Sequence, residues 1–172
     1  MKRGRLLLIV TALAVATMAL SSAAMAAATT DELLDICNPL YPPVFGVPNG
    51  EPLGPCQWDM ALINASDGGS YGVATGKGVT VGVIDGGVDF NHPDVAPNLD
   101  VDLSCSFIFD DTPTADPREI ANGDCSNKSA VQDLYGHGTH VASTIAAPVN
   151  GIGIAGVAPE ATIVGLKACT IG

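Results

Sequence analysis

The chain has 172 residues, of which 47% are hydrophobic, 18 acidic and 7 basic. That length suits one domain of ordinary size. Beyond residue 26 there are 18 acidic residues against 4 basic ones, a net charge of −14; this argues against nucleic acid and anionic lipid as partners and suits an exported, soluble protein.

Lys2, Arg3 and Arg5 give a positive start, Leu6–Leu20 is apolar or small, and Ala24-Met25-Ala26 follows two serines. This order reads as a secretory signal over residues 1–26, cleaved after Ala26, and places the protein outside the cell. The apolar run is shorter than the ~20 residues of a membrane span, so no membrane association is expected after cleavage; an uncleaved anchor is the alternative.

Five cysteines, Cys37, Cys56, Cys105, Cys125 and Cys169, all lie in the exported part, where disulfides are permitted. Pairing Cys37 with Cys56 and Cys105 with Cys125 closes two loops of about twenty residues, each worth about 3 kcal/mol in the chain-entropy model. Cysteine count does not determine connectivity, and Cys169 is left over.

Residues 27–55 are proline-rich and aperiodic, and read as an irregular leader. The stretch "CQWDMALINA" predicts a short helix with Trp58, Met60 and Ile63 turned inward, and a glycine-rich connector follows. In "GVTVGVIDGG", Val79, Val81, Val83 and Ile84 predict a strand buried on both faces of a parallel sheet. The strand ends in Asp85, at the carboxyl edge where open α/β sheets place ligands, although Asp-Gly also opens turns. Between Asp94 and Tyr135 the chain is acidic and loop-like, with Asp110, Asp111, Asp116, Asp124 and Asp133. "HGTHVASTIAA" predicts a helix whose small residues allow close approach to a sheet, and "ATIVGLKAC" a second buried strand. Strand, helix and strand together predict a three-layer α/β architecture on a parallel sheet.

His137 and His140 are two of only three histidines. A helical zinc pair wants i, i+4 spacing with a glutamate between; here the spacing is i, i+3 with Gly138-Thr139 between, which speaks against a metal. A catalytic imidazole wants a carboxylate to orient it. Asp85 is a fit supplier for His137 at the helix start. His140 is expected to point into the helix–sheet packing.

"VTVGVIDGGVDFNHPDV" and "GHGTHVASTIAAPVNGIGIAGVAPEATIVGLKA" resemble the first two signature blocks of the subtilisin-like serine proteases, in that family's order. The resemblance runs from Gln57 to the end. It implies an incomplete subtilisin-like domain over residues 56–172, a secreted endopeptidase acting on polypeptides, and Asp85 and His137 as catalytic Asp and His. His92 falls in the family's structural His-Pro-Asp turn. The family needs no cofactor for its chemistry but often binds structural calcium, and Asp94 and Asn150 fall on positions that commonly serve.

Three departures stand out. Gly86 occupies the place where the family usually has Ser or Thr after the catalytic Asp, so one hydrogen bond to the carboxylate is expected to be lost. Residues 27–55 do not make the family's long prodomain. The Gly-Thr-Ser-x-Ala nucleophile block is absent, since none of Ser66, Ser70, Ser104, Ser106, Ser126, Ser129 and Ser143 has that context. The chain therefore reads as the first half of a protease domain, inactive alone. The alternatives are a secreted, non-catalytic binding module and a hydrolase using Ser143 or Ser106.

Overall fold

The computed structural model describes residues 50–109, 118, 120–121 and 124–170. All belong to the second of the two compact units into which the chain divides, Pro43–Gly172. Residues 1–26, read above as an export signal, the stretch up to residue 49 expected to be an irregular leader, Cys37, Asp110, Asp111 and Asp116 lie outside the described residues.

A three-stranded parallel sheet forms the centre, in the order β1 (Thr80–Asp85), β3 (Thr162–Lys167), β2 (Cys105–Ser106). β1 and β3 pair over their full length, from Thr80 with Thr162 to Asp85 with Lys167, and Ser106 also pairs with Lys167. The three strands thus end at one level and share a carboxyl rim. The expected α/β class with a parallel sheet is what the chain adopts. β2 lies within the stretch expected to be loop; two residues are too few for a periodic signal, and the strand exists through its pairing with β3.

Helix α2 (His137–Ala146) packs on one face of the sheet. Its buried stripe, Gly138, Thr139, Ala142, Ser143 and Ala146, consists of small side chains. Val83, Val88, Val95, Ala142, Ala146, Ala161 and Ile163 form the core between helix and sheet. The valines and Ile163 fill space that the alanines leave, so helix and sheet approach closely. The expectation that β1 is buried on both faces is corrected. Val83 is buried but Ile84 is 73% exposed, because α2 covers one face and no described residue covers Ile84 on the other. Helix α1 (Trp58–Leu62) is likewise more open than expected: Met60 is buried, whereas Trp58 and Ile63 are exposed. Five residues make little more than one turn, so a single side chain faces the core. Among the described residues no helix is long and apolar enough to cross a membrane.

Cys105 and Cys125 form a disulfide, which ties β2 to the loop leading towards α2. Cys56 is also disulfide-bonded, and Cys169 is an exposed free thiol. Thiol titration of the unreduced full chain is therefore expected to find one reactive cysteine, rising to all 5 after reduction and unfolding. Two or more before reduction would contradict this connectivity.

Candidate active site

Asp85 is the last residue of β1 and His137 the first of α2. Strand pairing and helix packing bring these two ends together from 52 residues apart. The His137 Nδ1 lies 2.9 Å from both carboxylate oxygens of Asp85. The Asp85 side chain is 13% exposed and that of His137 63%, so the carboxylate is set back and the ring faces outward. A neutral ring carrying its proton on Nδ1 donates to Asp85 and leaves Nε2 as an acceptor.

Gly138 is what permits this approach. A Cβ there would sit 2.1 Å from the Gly87 carbonyl oxygen and 3.1 Å from Asp85 Oδ1; the first is a hard backbone clash. The backbone N–H of Gly86 donates to Asp85 Oδ1 at 2.6 Å. With no side-chain donor at position 86, the carboxylate thus still receives a hydrogen bond from that residue's backbone.

His140 is exposed, which corrects the expectation that it packs inward. The buried stripe of α2 runs through 138, 139, 142, 143 and 146, and position 140 falls on the opposite side of a 3.6-residue turn. His92 sits in its turn with Nδ1 accepting the N–H of Asp94 at 3.3 Å, a structural arrangement. Ser143 is buried and its hydroxyl donates to the Thr139 carbonyl at 2.9 Å; Ser106 is fully buried. Neither presents a hydroxyl at the surface that His137 faces.

A second feature lies where calcium is implied. Asp94 is 3% exposed. Its Oδ2 accepts the N–H of Ile154 at 2.9 Å, while its buried Oδ1 has no hydrogen-bond partner. Burial raises the Asp94 carboxyl above its ordinary value; the Ile154 hydrogen bond opposes this, Glu51 adds to it and His92 opposes it. Glu51 is itself buried and accepts the N–H of Gly151 at 3.0 Å. Gly153, at φ +60°, lies so close that a Cβ would come within 2.4 Å of Asp94 Oδ2. The loop Asn150–Ile154 therefore wraps a buried carboxylate with an unsatisfied oxygen, which suits a hard cation taking oxygen ligands. Asn150 Oδ1 accepts the N–H of Ile152 at 2.9 Å. Among the described residues no three His, Cys, Asp or Glu side chains converge to hold a metal, so a cation here would draw on carbonyl oxygens as well.

The sequence reading gave Glu51 and Asp133 no role in a site. Asp133 is buried and accepts four hydrogen bonds from residues around His137. Its position four residues ahead of a helix start, with threonine six residues on, is the one trace of this in the sequence.

Fold and site together define a parallel α/β protein with an Asp–His pair on the carboxyl rim of its sheet. A family model described as the subtilase family matches residues 76–172, and the chain belongs to that family. It is 41% identical over 105 residues to the minor extracellular protease Vpr of Bacillus subtilis (strain 168), covering 61% of this chain and 12% of that protein. Subtilisin E of the same organism is 41% identical over 93 residues, covering 54% of this chain and 19% of its own length. Among solved structures, fervidolysin from Fervidobacterium pennivorans, a keratinolytic enzyme related to subtilisin, matches with TM-score 0.52 and 29% identity, covering 72% of this chain and 16% of that one. The chain thus spans less than a fifth of each of these relatives.

Proposed function

We propose that this chain supplies the Asp–His half of the catalytic triad of a secreted serine endopeptidase, and that the serine comes from a segment bearing the Gly-Thr-Ser-x-Ala block. The observation that carries the reading is the His137 Nδ1 held 2.9 Å from both oxygens of Asp85. In this role Nε2 of His137 takes the proton from a serine hydroxyl as it attacks a peptide carbonyl. Asp85 holds the ring in the required tautomer and stabilises the imidazolium that forms. Substrates are polypeptides, on which proteases of the family act. A fluorophosphonate probe tests the division of labour. The chain from residue 27 onward is expected to remain unlabelled, and to become labelled at the added serine when joined to a relative's nucleophile-bearing segment. Labelling of one of its own serines, abolished by His137→Ala, would overturn the proposal.

Export is part of the reading, supported by the tripartite start of the chain and by an extracellular protease among its relatives. Terminal sequencing of secreted material should begin at Ala27; a protein still beginning at Met1 counts against a cleaved signal. Structural calcium is proposed at Asp94, with Glu51 and the Asn150–Ile154 loop as the other contributors. It would supply no step of the chemistry, only an oxygen-seeking positive charge beside the buried Oδ1 of Asp94, which has no hydrogen-bond partner.

A further inference from the structure

Asp133 lies four residues before His137 and is 8% exposed. Both of its oxygens are filled. Oδ1 accepts the N–H groups of Tyr135 at 2.9 Å and Gly136 at 2.8 Å. Oδ2 accepts the N–H of Thr139 at 2.9 Å and its hydroxyl at 2.7 Å. All four donors fall within residues 135–139, the segment that brackets His137. Gly136 precedes the helix in the left-handed region and offers no side chain to cap it. The first turn of α2 leaves N–H groups without helical partners, and Asp133 takes up one of them from outside the helix.

The network continues to the other half of the pair. The Thr139 hydroxyl, while donating to Asp133, accepts the N–H of Asp89 at 2.9 Å, on the segment that leaves β1 four residues after Asp85. Gln132 accepts the N–H of Phe90 at 3.2 Å and donates to Asp89 Oδ1 at 2.5 Å. The buried Lys167, at the end of β3, donates to the Gln132 carbonyl at 3.0 Å. One short stretch before α2 is therefore bonded to the exits of β1 and β3 and to the first turn of the helix.

We propose that Asp133 is a positioning residue: through the N–H groups of residues 135–139 and the Thr139 hydroxyl it holds His137 in register with Asp85, and so holds the ring in the tautomer protonated on Nδ1. This rests on the Asp–His reading above. Burial pushes the Asp133 carboxyl up, but the Thr139 hydroxyl and the N–H groups of Gly136, Thr139 and Tyr135 outweigh it and leave it below the ordinary value. It is ionised at neutral pH and is then the stronger acceptor.

The tautomer is readable without any enzymatic activity. In the full chain with nitrogen-15 in its histidine rings, long-range proton–nitrogen spectra at a pH where the ring is neutral should show His137 mainly protonated on Nδ1. Thr139→Ser, which keeps the hydroxyl, should look the same. Asp133→Asn and Thr139→Val should each lower the Nδ1–H to Nε2–H ratio by at least about fivefold, the effect of losing a single hydrogen bond, with helical circular dichroism retained. Asp85→Asn serves as the reference. If it shifts the tautomer and Asp133→Asn merely lowers Tm, Asp133 only stabilises the helix and the positioning proposal falls alone. If Asp85→Asn also leaves His137 unchanged, the pair does not form, and both this proposal and the triad reading fall. Should Asp133→Asn fail to fold, Thr139→Val decides.

Discussion

In the chain joined to a nucleophile-bearing segment, His137→Ala is expected to lower kcat by about 10⁶ and Asp85→Ala by about 10⁴ to 10⁵; these factors are subtilisin's own, carried over to a member of its family. The asymmetry follows from the geometry. Without His137 no group faces the serine to take its proton. Without Asp85 the imidazole is still present but spends most of its time in the wrong tautomer or orientation. Because the two act as one unit, the double substitution should be no worse than His137→Ala alone. KM should change far less than kcat, since neither group is asked to bind the ground state. The measurement is kcat on a peptide substrate for the two single variants and the double variant. A His137→Ala protein within about tenfold of the parent would place the proton acceptor elsewhere and remove the proposed role.

Calcium at a thousandfold excess over its Kd is expected to stabilise the full chain by about 4 kcal/mol, a Tm rise of roughly 10 °C for a protein of this size. Asp94→Asn should abolish the response. The buried Oδ1 of Asp94 has no hydrogen-bond partner, and a charge kept from water without one is costly. The proton and the cation compete for that oxygen. The folded carboxyl is raised above 3.8, so the folded state binds its proton more tightly than the unfolded chain does. Its contribution to stability is therefore fully present at low pH and is lost as pH rises through the raised value. In chelator the parent should show that loss on the alkaline side of 3.8 and Asp94→Asn should not. Thermal melts with calcium and with chelator, across pH 4 to about 7, carry both arms. A parent Tm indifferent to calcium, or an Asp94→Asn variant that keeps the shift, would remove the site.

Much of the protein was legible in local pattern. The β-branched run before Asp85 announces β1, and a run of small residues after His137 announces α2, because a strand or helix of that length imposes its own period on the side chains that face the core. Asp85 and His137 stood out as chemical groups at the edges of those elements, and the motif order pointed to the family. Other residues carried no such mark. Cys105 and Ser106 form a strand through hydrogen bonds to residues some sixty positions away. Ile84, Trp58, Ile63 and His140 are polar or apolar as composition would have it, yet their exposure depends on whether another element happens to cover them. Asp133 read as one more acid in an acidic loop until its four donors were in place; Asp94 was marked as a calcium position by the resemblance alone, and its burial and unpartnered oxygen appear only in the fold. Periodicity and residue type are properties of neighbours in the chain, so they specify elements and candidate groups. Distances such as the 2.9 Å between His137 and Asp85 belong to residues brought together by packing. They are set by the sum of many weak contacts, for instance the space that a hydrogen atom at Gly138 leaves open, and that sum exists in the folded molecule.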